Sequence, residues 1–206
     1  MRTTRDSLLA RCGDPDDGDA WMVFCTQYAP VVQGYAHKFG LPDQDAQDVA
    51  QETMVDLCRI LPSFQRDPKK KFRNFVLTIA HRKYLKAVKR ARRRKEDSLE
   101  AQEDSGARPL AEKLADESVS LPGEEAHQKW QESLQEAALR RVAKDPAFSG
   151  RTIEIFKRYV LDQCSAKTVA EEFGTTANNV HQIRNRIIKA VREAVQRMRL
   201  DLGEQD

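Results

Sequence analysis

Thirty consecutive residues, 66–95, carry 14 basic side chains and one acidic one, a net charge of +13. The next thirty, 96–125, carry 2 basic and 10 acidic, a net −8. Residues 1–65 are net −5, 126–148 net +1 and 149–206 net +2, so the formal +3 of the 206-residue chain hides strong segregation. Blocks of one sign repel themselves when the chain folds, and they point to partners of opposite charge. For the basic block that partner is nucleic acid. A solvated helix face accounts for five or six like charges and is a poor account of this block.

Composition narrows the architecture. Hydrophobic residues are 40% of the chain and charged residues 33%, enough for small helical cores and too little for a large sandwich or barrel. No apolar run approaches the roughly 18 residues of a membrane span, and the start, MRTTRDSLLARCGDPDD, has no signal-peptide stretch. A soluble cytoplasmic protein is the expectation. Cys12, Cys25, Cys58 and Cys164 form no C-x-x-C pair and have no histidine at ligand spacing, so neither a metal site nor a disulfide framework is expected. Rossmann, P-loop, nucleophile-elbow and zincin signatures are absent from the sequence; no catalytic residue and no cofactor is expected. The acidic stretch 14–19 lacks the spacing of a calcium loop and reads as a solvated turn.

Apolar residues recur with helical period almost throughout. Trp21, Phe24, Tyr28, Val31, Tyr35 and Phe39 share one face. Pro30 lies inside that stretch and predicts two helices or a kink. A helix over Asp43–Leu61, with Asp43 as its cap, carries the apolar stripe Ala46, Val49, Ala50, Met54, Leu57 and Leu61. Asp45, Asp48, Glu52 and Asp56 make a second, acidic stripe. After a two-proline loop, a long helix over about Lys70–Lys95 begins with a core face (Phe72, Phe75, Val76, Ile79) and becomes strongly basic beyond Ala80. Aromatic rings interleaved with cations suit nucleic-acid strands. The acidic residues 96–125 read as a linker, with a short helix around Leu110–Ala115. Beyond it come helices over Glu125–Val142, with Trp130, Leu134 and Ala138 inward, and after Pro146, with Ile153, Phe156 and Val160.

The most specific local pattern lies at residues 165–187. Ser165 and Thr176 stand where helix caps are needed, and Gly174 where a turn needs positive φ. Val169, Phe173, Val180 and Ile183 are the inward positions, and Ala170 the small residue at the crossing. This is a helix-turn-helix pattern. The second helix, running to about residue 199, exposes Asn178, Asn179, His181, Gln182, Asn185 and Arg186 near its start, side chains able to contact base edges in a major groove.

Taken together, YAPVVQGYAHKFG, DAQDVAQETMVDLCRI, KFRNFVLTIAHRKYLKAVKR and TVAEEFGTTANNVHQIRNRI resemble a small sigma-70 family RNA polymerase sigma factor of the extracytoplasmic-function type. The resemblance implies an all-α protein of two helical domains, 18–95 (region 2-like) and 126–199 (region 4-like), joined by the acidic linker 96–125. It implies that Asp45, Asp48, Gln51 and Glu52 dock on the polymerase β′ clamp. It implies that the loop Ser63–Lys71 captures a flipped base of the melted −10 element, with Phe64, Arg73, Arg82, Lys83, Tyr84, Lys86 and Arg90 on the melted strand. Thr176, Asn178, Asn179, His181, Gln182, Asn185 and Arg186 would meet the −35 duplex. The implied partners are core RNA polymerase, through its β′ clamp and β flap, and promoter DNA, with an anti-sigma factor as a further candidate. The linker would thread polymerase channels. Two positions depart from the family pattern: Arg82 replaces a usual Asn and Lys86 a frequent Asp, both adding positive charge. Three other readings stand beside this one. A conventional helix-turn-helix regulator with an N-terminal sensing or dimerisation module explains residues 126–206 but not the basic block. RNA binding by the basic helix is a second, and an enzyme a distant third.

Overall fold

Among the described residues every regular element is a helix, as the all-α reading expects. The computed structural model describes residues 8–14, 16–64, 72–99 and 122–201. The tip of the two-proline loop and the expected helix at Leu110–Ala115 lie outside them. The chain divides into two compact units, one up to Ser133 and one over Leu134–Leu200.

The first unit contains α1 (Leu8–Cys12), α2 (Gly18–Lys38), α3 (Asp43–Ile60), a 3₁₀ turn at Leu61–Ser63, α4 (Phe72–Leu99) and the start of α5 (Glu124–Ala143). The acidic turn before α2 proves structural rather than merely solvated. Asp17 accepts from the Ala20 N–H at 2.9 Å as a helix cap, and Arg11 grips its two oxygens at 2.8 and 3.0 Å. That guanidinium, together with the cap hydrogen bond, holds the Asp17 carboxyl below its ordinary pKa. α2 runs through Pro30 as one helix, so of the two outcomes expected there, two helices or a kink, the division does not occur. The proline costs about 3 kcal/mol in a helix interior. Burial of Tyr28, Val31, Val32 and Tyr35 on either side of it, at about 1.5–3 kcal/mol per large apolar side chain, outweighs that cost. Asp43 is not the cap of α3 either. Pro42 holds that position without a side-chain bond, and Asp43 and Asp45 occupy the first turn, where carboxylates favour the positive end of the helix dipole.

Tyr35 is the centre of this unit. It is fully buried, its hydroxyl lies 2.7 Å from His81 Nδ1 on α4, and its ring meets Phe39 at 5.1 Å and Trp130 at 6.1 Å. One residue before it, Gly34 gives α5 room to approach; a Cβ there would stand 3.3 Å from the Cβ of Ser133. Lys129 extends over the Phe39 ring at 4.3 Å and donates to the Lys38 carbonyl at 2.8 Å. The sequence opens its second module at residue 126. In the structure residues 124–133 belong with the first unit, because Trp130 and Ser133 bury completely against α2.

The second unit contains the rest of α5, α6 (Gly150–Phe156), a π-helical turn at Lys157–Leu161, α7 (Ala166–Glu172) and α8 (Ala177–Asp201). Ser149 and Ser165 cap α6 and α7 by accepting from Thr152 and Thr168 N–H groups. Gly174 has φ +57° and turns the chain between α7 and α8. Ile153, Ile155, Phe156, Val169, Ala170, Val180, Ile183 and Ile187 are buried. Phe173, expected inward, is only half-buried, and the Arg151 guanidinium donates to its carbonyl.

His81 gives the first unit a pH dependence. Burial lowers its pKa from the ordinary 6.5, so the unfolded state binds the proton more readily. Its contribution to stability is intact above about pH 6.5 and falls as acid approaches the lower folded pKa. Thermal unfolding followed between about pH 7.5 and 5.5 should show a midpoint that drops on acidification, and His81→Gln should flatten that drop.

Candidate nucleic-acid and partner interfaces

The basic helix has two faces with different fates. Lys83, Ala87, Arg90 and Arg94 recur at steps of 4, 3 and 4 and therefore share a stripe of α4. That stripe faces α3. Lys83 Nζ lies 2.6 Å from Asp56 and 3.8 Å from Glu52. Arg90 meets Glu52 at 2.9 Å and Arg94 meets Asp45 at 3.4 Å. The acidic stripe of α3 is thus largely engaged within the chain. Two residues expected on melted DNA, Lys83 and Arg90, and two expected on polymerase, Asp45 and Glu52, are joined to each other. Pairs this exposed contribute about 0–1 kcal/mol each. Their main effect is to cancel repulsion and fix which stripe of α4 turns inward.

The other stripe, Arg82, Lys86, Lys89 and Arg93, has the same 4, 3, 4 spacing and is exposed. Lys89 and Arg93 are additions to the residues expected from sequence, although their spacing from Arg82 and Lys86 is readable there. Tyr84 is not the stacking platform its sequence surroundings suggest. It is buried at 2% exposure and packs on Phe39 at 5.0 Å and His81 at 5.8 Å. A ring so enclosed cannot stack on a base. Burial also raises its hydroxyl pKa. Phe64 is half-buried in a cluster with Phe72 at 5.3 Å and Phe75 at 4.7 Å. Arg73 is likewise half-buried.

On α3, Asp48, Gln51 and Val55 follow at steps of 3 and 4, beside the stripe that faces α4. Gln51 is exposed and Val55 is 48% exposed, unusual for a large aliphatic side chain. They border a groove of about 690 Å³ between α2 and α3, whose lining includes Trp21, Pro30, Gln47, Gln51, Met54 and Val55. Of the polymerase residues expected from sequence, Gln51 is exposed, and Asp48 is half-buried and takes part in none of the α3–α4 ion pairs of Lys83, Arg90 and Arg94.

In the second unit the polar residues at the start of α8 divide as well. Thr176 accepts from the Asn179 N–H at 3.2 Å, and the Asn179 amide donates to Thr175 at 2.8 Å. Both serve the turn. His181 Nδ1 lies 3.1 Å from the hydroxyl of Tyr159, which sits in the π-helical turn. Arg186 stands 5.8 Å from the Phe148 ring. Asn178, Gln182 and Asn185 are exposed, with Asn185 accepting from Arg184 at 3.3 Å. Arg158 ties the same turn to α7 through Glu172 at 3.1 Å and to Asp162 at 3.0 Å, and these carboxylates raise its already high pKa. Tyr159 escaped the sequence reading because nothing local marks a π-helical turn.

Residues 24–94 match the family model for sigma-70 region 2. The matched region is a segment of sigma-70 family sigma factors, proteins that bind RNA polymerase and direct transcription from promoters. It covers α4 as far as Arg94, and so the ion-paired stripe and the exposed one together. No curated protein matches the chain. Among the described residues no helix is long and apolar enough to cross a membrane.

Thr176 separates capping from base contact. Thr176→Ala should lower the stability of the second unit by about 1 kcal/mol, the usual worth of a missing cap, and Thr176→Asn should restore most of it. Chemical denaturation followed by circular dichroism reads both.

Proposed function

We propose that the chain is a two-module sigma factor of the extracytoplasmic-function type. Its first unit docks on core RNA polymerase and holds the melted −10 strand, and its second reads the −35 duplex. The observation that carries this reading is the division of α4 within the region 2 match. One basic stripe is neutralised by α3, and the other faces outward over about three turns of helix. A structural helix needs no such second stripe. A strand carrying one phosphate per nucleotide does.

The docking face is narrower than the acidic stripe as a whole. The half-buried Asp48 and the exposed Gln51 and Val55 offer a charge, an amide and an apolar contact along one strip of α3. This mixture suits a helical protein partner such as the β′ clamp. The melted-strand face consists of Arg82, Lys86, Lys89 and Arg93, with the Phe64 cluster at its edge. In the second unit Asn178, Gln182 and Asn185 are the residues best able to contact base edges, and Arg186 lies beside them. His181, with its Nδ1 engaged by Tyr159, would present Nε2 to an acceptor. The β flap and an anti-sigma factor remain proposed partners on the strength of the resemblance, as does the path of residues 96–125 through polymerase channels.

Three experiments test the assignment. Asp48→Lys should abolish binding to core polymerase while helicity and thermal stability hold, because Asp48 is outside the α3–α4 ion pairs. Charge reversal at Glu52 would not be diagnostic, since it would also set a lysine against Lys83 and Arg90. Removing Arg82, Lys86 and Arg93 together should flatten the salt dependence of binding to a pre-melted promoter by about 0.7 log units per log salt for each phosphate no longer neutralised. Gln182→Ala should spare that dependence and cost about 1–3 kcal/mol of sequence discrimination on duplex −35 DNA. Specific promoter binding without polymerase, unaffected by Asp48→Lys, would instead identify a conventional regulator.

A further inference from the structure

Three of the four cysteines come together in the first unit from three different helices, and the polymerase reading uses none of them. Cys12 on α1 is buried and donates weakly to the Ala20 carbonyl at 3.5 Å. Cys25 on α2 and Cys58 on α3 both line the 690 Å³ groove. α2 and α3 are joined by a turn at residues 39–42, and the two cysteines lie at nearly equal distances along the chain from it. Neighbouring helices joined by so short a turn run antiparallel, so the two positions stand at the same level across the hairpin. No group of three or more His, Cys, Asp or Glu among the described residues is arranged to hold a metal ion.

We propose that the α2/α3 groove is a dithiol site in which Cys25 and Cys58 react with a low-molecular-weight disulfide and become joined to each other. The volume suits a small ligand. The lining supplies the apolar Ala29, Pro30 and Met54 and the polar Gln33 and Arg59, the latter a cation for a carboxylate-bearing reagent. Cys58 is exposed and Cys25 half-buried, which sets the order of events. Cys58, having released its proton to water, attacks one sulfur of the reagent. The reagent's S–S bond breaks, a mixed disulfide forms at Cys58, and one small thiolate leaves. Cys25, having released its own proton to water, then attacks the Cys58 sulfur, the second small thiolate leaves, and the Cys25–Cys58 bond forms. Two protein thiols are oxidised and one reagent disulfide is reduced to two thiols. Burial, and the nearness of Cys58, raise the pKa of Cys25, and burial raises that of Cys12 to about 11. This makes Cys58 the entry point and Cys12 a bystander.

The consequence rests on the docking reading above, because Gln51 lines the same groove. A covalent link across it draws α2 and α3 together beside Asp48 and Gln51 and removes the groove from the docking face. The test uses the full chain with glutathione disulfide as the probe, peptide mapping without reductant, and binding to core polymerase. The expected result is a Cys25–Cys58 linked peptide with no glutathione retained. Polymerase affinity should fall by about tenfold, a loss of about 1.4 kcal/mol, and return with dithiothreitol. In Cys25→Ser the glutathione should remain on Cys58. A link through Cys12, glutathione that stays on Cys58 in the unaltered chain, or no reaction at either thiol would overturn the proposal. A proven Cys25–Cys58 link that leaves polymerase affinity unchanged, while Asp48→Lys abolishes it, would overturn the regulatory consequence and leave the docking reading standing. If Asp48→Lys is also without effect, the docking reading itself fails, and the peptide map still decides the chemistry.

Discussion

The pairing of α3 carboxylates with one stripe of α4 is the constraint on which the first unit depends. A helix with this density of cations cannot lie against another element unless its charges are met there. Lys83 meets Asp56 and Glu52, Arg90 meets Glu52 and Arg94 meets Asp45, so the two stripes pair in opposite chain order. Each pair is weak by itself, because all are partly exposed. Their joint effect is rotational. Turning α4 by a quarter would bring Arg82, Lys86 and Lys89 toward α3 and pull the paired cations away from the α3 carboxylates. The apolar residues of the same helix, Val76, Leu77, Ala80 and Ala87, are buried in this orientation, so packing and charge select the same face.

That agreement leaves the other stripe on an exposed side of α4. The mean charge of α4 is not the quantity that matters; its distribution around the helix is. One stripe of cations completes the fold, and the other faces away from the carboxylates that do so. The outward stripe lies within the region 2 match and carries both departures from the family pattern, Arg82 and Lys86. Those two residues add charge on the side turned away from α3, so their effect falls on whatever binds that face.

Helical periodicity made most of the fold legible in the sequence. The α2, α3 and α5 faces, the Ser165 and Thr176 caps and the Gly174 turn were all readable from spacing and residue type. What escaped was decided by tertiary context. Tyr84 sits among lysines and arginines in the sequence and looks like a ring for stacking on bases. Only the approach of α2 turns it into core, against Phe39. Pro30 looks like a break, but the aromatic face on both sides of it buries enough surface to hold one helix. Trp130, read as core of the second module, buries against Tyr35, and no local pattern could reveal a contact spanning that much chain. Among the candidate residues, the charged stripes were visible in the sequence but their division was not, because it depends on which neighbour each stripe meets.

The same division recurs in the second unit, where polar residues first satisfy the turn and only then become available outside it. Thr176 and Asn179 supply hydrogen bonds that the start of α8 would otherwise lack. Gln182 lies beyond the first turn, outside that duty. Tyr159 adds a level above this. Its π-helical turn is held at one side by Arg158, which bridges to Glu172 on α7, while its hydroxyl meets His181 on α8. The side chain that orients His181 is therefore fixed by the helix preceding the one His181 stands on. Loss of the Arg158–Glu172 pair would loosen His181 without removing any atom from the outward face of α8. The orientation of an exposed residue of α8 is in this way set from behind, through a contact held by the preceding helix.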